Sequence, residues 1–128
     1  MNNMEVTDLM IGDWVRIKDH LDYDKVREIA MDEKMQWYIS FACSMTLFRA
    51  YEFEPVPITR EILEKNGWEC KGDYMIKRVG EDTLYWVENL DCGLYKNKYN
   101  MCTCKYVHQL QHALRLCGFD VLADIFKI

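Results

Sequence analysis

Proline and glycine are scarce in this chain of 128 residues: two prolines and six glycines. That scarcity excludes collagen-like repeats and linker-type low complexity. Apolar runs of the roughly 20 residues needed to cross a bilayer as a helix are also missing. Met1-Asn2-Asn3-Met4-Glu5 has neither a basic nor an apolar stretch, so no export signal is expected. There is no phosphate-binding glycine loop, no dinucleotide fingerprint, no nucleophile elbow and no internal repeat.

What is present is ordinary for a folded protein: half the residues are apolar and 29% are charged. That composition excludes intrinsic disorder, and the length suits one compact domain spanning 1–128 without disulfide or metal support. The six cysteines are then expected as reduced thiols in a cytoplasmic protein. The net charge of −5 lies wholly in residues 1–58, with 11 acids against 6 bases; residues 59–128 carry 10 of each. Such a balance argues against non-specific nucleic-acid binding, which requires clustered cations. Lys77, Arg78, Lys96, Lys98 and Lys105 could share a face, though a solvated surface is the simpler expectation.

Thr7 or Asp8 is expected to cap a helical turn that sends Leu9, Met10 and Ile11 inward and ends at Gly12. Trp14 to Lys18 alternates as a half-buried strand, followed by a polar loop over 19–24. Val26 to Met31, Met35 to Phe41 and Thr46 to Phe53 read as three more strands, with a turn at Asp32-Glu33-Lys34. Four such strands should curl into a small antiparallel barrel-like sheet over 1–58 or pack against the second half of the chain. Pro55-Val56-Pro57 imposes an extended entry, Thr59 caps a short helix over Arg60 to Asn66, and Gly67 stops it. Ile58 and Leu63 should staple its start. Residues 59–128 then add a hairpin, Tyr74–Val79 with Thr83–Glu88, and a turn at Asn89–Gly93. Further strands are expected at Leu94–Lys96 and Tyr99–Met101, then an amphipathic helix from Lys105 to Leu116 closed by Gly118. The expected class is therefore α+β, with Phe119–Ile128 readable as helical turn or edge strand.

Cys102-x-Cys104-x3-His108-x3-His112 invites a zinc reading, since thiolates and imidazoles are good ligands. At 100° per residue, however, Leu110, Leu114 and Cys117 centre an apolar stripe and His108 and His112 fall opposite it. No metal and no cofactor are expected. A Cys–His nucleophile lacks an orienting third group, and Asp19, Asp22 and Asp24 lack the glycine and distal glutamate of a calcium loop. Trp14, Trp37, Tyr38, Trp86 and Tyr95 suit core and cross-strand pairs better than a base-stacking platform. The exposed face of the last helix, with His108, Gln111, His112 and Arg115, is the expected binding surface.

Three blocks carry a resemblance: Leu9-Met10-Ile11-Gly12-Asp13-Trp14-Val15; Pro55 to Leu63 with Gly67-Trp68; and Lys105-Tyr106-Val107-His108-Gln109 with Gln111. In this order the chain resembles a group of small uncharacterised proteins of gut Bacteroides-type bacteria and of their phages and mobile elements. The resemblance implies a small β-barrel, a linking helix and a β-rich half closed by the last helix, in a phage or mobile-element accessory protein. The expected function is non-enzymatic binding of a protein partner, with an acidic first half that suits a basic surface and fits an anti-defence role. The alternatives are sequestration of a small planar, nucleotide-like ligand in an aromatic pocket and, as a minor one, nucleic-acid recognition by the barrel. No membrane partner is expected.

Overall fold

Among the described residues, thirteen short elements divide between two compact units, Met1–Val56 and Pro57–Ile128. The computed structural model describes residues 9–10, 12–17, 23–31, 37–41, 44–49 and 53–128. Within the first unit, β1 (Trp14–Ile17), β2 (Tyr23–Met31), β3 (Trp37–Phe41), β4 (Ser44–Arg49) and β5 (Phe53–Pro55) form one antiparallel sheet in the order β4-β3-β2-β1-β5. Thr46 to Phe53, read as one strand, contributes instead to the two opposite edges of this sheet. Val15 is fully buried while Trp14 and Arg16 are half-buried, the expected alternation. Arg16 reaches Glu54, its register partner, at 2.7 Å, and the Lys25 ammonium lies 5.3 Å from the ring centre of Trp14.

Of the helical turn expected to end at Gly12 only residues 9–10 and 12 are described, and there the Asp13 amide closes a turn on the Met10 carbonyl at 3.1 Å. The Met10 amide donates to the Asp13 carboxylate at 2.7 Å, and the Gly12 and Val26 amides donate to the carbonyls of Val26 and Asp13. Asp13 is fully buried and organises this turn, Gly12 sits at φ +93°, and Met10 points out rather than in. Thr7, Asp8 and Ile11, residues 19–22 of the loop expected over 19–24 and the turn at 32–34 lie outside the described residues, while Tyr23 and Asp24 open β2 instead.

The second unit opens with α1 (Arg60–Lys65). Thr59 caps it through an Ile62 N–H to Oγ1 bond of 3.2 Å. At the other end Trp68 donates to the Leu63 carbonyl and Gly67 to that of Glu64, both at 3.1 Å. Gly67 at φ +84° completes a Schellman closure. Then β6 (Glu69–Lys71), β7 (Tyr74–Val79), β8 (Asp82–Val87), β9 (Gly93–Lys96) and β10 (Tyr99–Thr103) form an antiparallel sheet in chain order. Met75, Trp86 and Leu94 are register partners across β7, β8 and β9 and are all buried, so they form the sheet's core row. The short β6, with every residue exposed, has no alternation to reveal it in the sequence.

α2 (Val107–Leu116) starts two residues later than expected. The Ile58 amide donates to the Lys105 carbonyl at 2.9 Å and Pro57 bridges Tyr106, which holds 105–106 extended. Gln109 Oε1 caps it by accepting from the amides of Lys105 and Tyr106. The tail is α3 (Asp120–Asp124), packed on α2. No described helix is long and apolar enough to cross a membrane.

Candidate functional site

The helical phase expected for α2 is corrected by the structure. His108 is 6% exposed and Gln111 fully buried; His112 and Arg115 are partly covered, and Leu116 is the outward residue. Part of the cause is α3, which folds back over Gln111 and Arg115. Gln111 Nε2 donates to the Ala123 carbonyl at 3.1 Å, and Arg115 sits 3.8 Å from Asp124. The buried stripe thus widens from the Leu110–Leu114 line toward Gln111 and His108. The His108 and His112 rings meet edge to face at 5.6 Å. Among the described residues, no three His, Cys, Asp or Glu side chains are placed to hold a metal ion.

A pocket of about 250 Å³ lies instead where α1 ends and the C-terminal segment returns. Its apolar floor is Trp68, Leu114 and Phe126, each at most 4% exposed, extended by Leu122 and Ile125. Lys65, Lys77 and Lys127 are the three basic residues of its lining. Asn66 builds the wall: its Nδ2 donates to the carbonyls of Ile62 (2.8 Å) and Lys127 (2.7 Å), and its Oδ1 accepts from the Lys127 amide (2.9 Å). Lys77 reaches in from β7 and donates to the Asn66 carbonyl at 3.1 Å. A Cβ at Gly67 would lie 2.9 Å from that same ammonium.

Chemically this is an apolar hollow with cationic lips, suited to an apolar group that carries or neighbours an anion. At its rim Ile125 is 63% exposed, and Val121, one turn earlier on α3, is 70% exposed. Those two extend an apolar strip away from the pocket. No protein-family model matches the chain, and neither does any curated protein or solved structure.

Of the five basic residues that could have shared a face, only Lys77 lines this pocket. Lys77 and Lys96 both pair with Leu84 in the sheet register, whereas Arg78 alternates to the other face. Lys96 instead lies over the Phe119 ring at 5.6 Å, and Lys105 pairs with Asp91 at 3.4 Å. Trp86 is core, its indole N–H donating to the Cys104 carbonyl at 2.8 Å. Side chains of Trp37 and Tyr38 lie outside the described set. Sequence reasoning placed the helix stop at Gly67 but missed Asn66, Phe126 and Lys127 as one site.

Proposed function

We propose that this chain is a non-enzymatic binding protein whose partner is a protein. The partner inserts an apolar side chain from an acidic segment into the Trp68–Leu114–Phe126 pocket. The observation that carries the reading is the conjunction of that floor with Lys65, Lys77 and Lys127. Burial of the anchor drives association, and the cations select neighbouring carboxylates and speed encounter. The exposed Val121–Ile125 strip supplies contact area beyond the pocket. A cytoplasmic phage or mobile-element setting, with an anti-defence role, belongs to this reading through the resemblance alone. So does closure of the first sheet into a small barrel, which would need β4 to meet β5.

A second reading rests on the same pocket's size: a small amphiphilic anion, nucleotide-like or otherwise, resting on Trp68 and Phe126. Native mass spectrometry of tagged protein drawn from its host separates the two. A second polypeptide, lost with Ile125→Asp and shed progressively by salt, supports the protein partner. Extra mass on the order of a few hundred daltons supports the small ligand. A complex that survives both Ile125→Asp and Lys127→Glu overturns the pocket as the site.

A further inference from the structure

Cys102 and Cys104 occupy the edge strand β10 and its end, and their Sγ atoms lie 3.5 Å apart. Two residues apart on extended chain they share a side, and a register shift decides which face that is. Tyr99 and Asn100 pair with Lys96 and Tyr95, but Cys102 pairs with Leu94, so Met101 is one residue extra on β10. A bulge of this kind turns the next side chain to the other face. Cys102 therefore lies in the core row beside Leu94 instead of on the face of Asn100, and Cys104 two residues on lies on its side. Cys104 is fully buried, whereas Cys102 is partly open. The Cys104 main chain is pinned on both sides, its N–H donating to the Cys92 carbonyl at 2.9 Å and its carbonyl accepting from Trp86.

We propose that Cys102 and Cys104 are a reversible dithiol–disulfide pair that exchanges with small disulfides of the glutathione class. Cys102 is the attacking thiol because it is the accessible one; burial and the neighbouring Cys102 hold the Cys104 thiol protonated well above the ordinary range. The Cys102 thiolate displaces one thiolate from the small disulfide, giving a mixed disulfide at Cys102. The Cys104 sulfur then attacks Cys102 Sγ, breaking the mixed disulfide, and its proton passes to the departing small thiolate, which leaves as a thiol. The sum is one protein dithiol and one small disulfide converted to one protein disulfide and two small thiols. Two residues of extended chain span about 6.6 Å, near the upper limit a disulfide bridges. The bond therefore forms against the pinned backbone and is easily reduced, which suits a switch better than a permanent brace. This inference is independent of the lysine-rimmed pocket.

The test uses the full chain. Reduced protein is equilibrated at graded ratios of reduced to oxidised glutathione, quenched in acid, denatured, alkylated, digested with trypsin and weighed. Cleavage after Lys98 and Lys105 releases Tyr99–Lys105, which holds these two cysteines and no other. The expected result is that this peptide turns unalkylated and two hydrogens lighter at oxidising ratios, and reverts when reduced glutathione is restored. Cys104→Ser should stop at a glutathione adduct on Cys102, and Cys102→Ser should leave Cys104 alkylatable throughout. Should Cys104→Ser fail to fold, the unsubstituted chain and Cys102→Ser decide the matter. A peptide alkylated at every ratio overturns the pair, as does cross-linking to the peptide carrying Cys92 or Cys117.

Discussion

Asn66 spends both side-chain hydrogens and its carbonyl oxygen on two segments far apart in sequence, the end of α1 and Lys127. Asn66→Ala removes all three bonds, and a loss of about 1–3 kcal/mol in a urea melt is expected. It should also weaken any ligand of the pocket, whose wall the clamp holds. Cys104 gives a pH signature. Its unfolded thiol titrates near 9.0, and the folded one holds its proton to higher pH because it is buried. The unfolded chain thus loses that proton first, so the contribution is whole below pH 9.0 and falls as pH rises past it. Stability should decline more steeply above that pH in the unsubstituted chain than in Cys104→Ala, as denaturant melts across the range would show.

At the scale of elements, α2 shows how a neighbour rewrites a periodic pattern. Leu110 and Leu114 were legible as core, and Leu110→Ala should cost roughly 2–5 kcal/mol by opening a cavity. Gln111 was not legible, because a polar side chain facing a 3.6-residue pattern reads as surface until α3 supplies a carbonyl to meet it. Gln111→Ala should therefore cost about 1–3 kcal/mol, where an exposed glutamine would cost almost nothing; a chemical melt distinguishes the two. The α1 closure was legible down to Gly67, since a left-handed stop after a short helix demands a residue without Cβ. Gly67 and Gly118 share φ +84°, so alanine at either should cost about 1 kcal/mol. The Cβ of Gly67→Ala would meet only the tip of the flexible Lys77 side chain, which can swing aside, so paired melts of the two variants should show similar losses.

For the whole molecule, the division at Val56 and Pro57 places a five-stranded sheet and the three described helices in the C-terminal unit. Pro57–Ile128 has its own buried set, with Leu63, Met75, Leu84, Trp86, Leu94 and Leu110 among its most covered residues. Expressed alone, this segment is expected to give a cooperative thermal transition and dispersed amide resonances; a broad transition without them would show that it needs the first unit.

The elements that local chemistry dictates were within reach of the sequence by itself: the Thr59 cap, the Gly67 stop, the Tyr74–Val87 hairpin, and the alternation around Val15. Each rests on neighbours within one turn or one strand pair, where backbone sterics and side-chain period decide the outcome. The pocket, the thiol pair and the buried face of α2 depend on pairings between distant segments. Asn66 must meet Lys127, a bulge at Met101 must set Cys102 beside Leu94, and α3 must cover Gln111. No local period encodes such meetings, because each is fixed by which surfaces are left to bury and which donors remain to be satisfied once the sheet has formed.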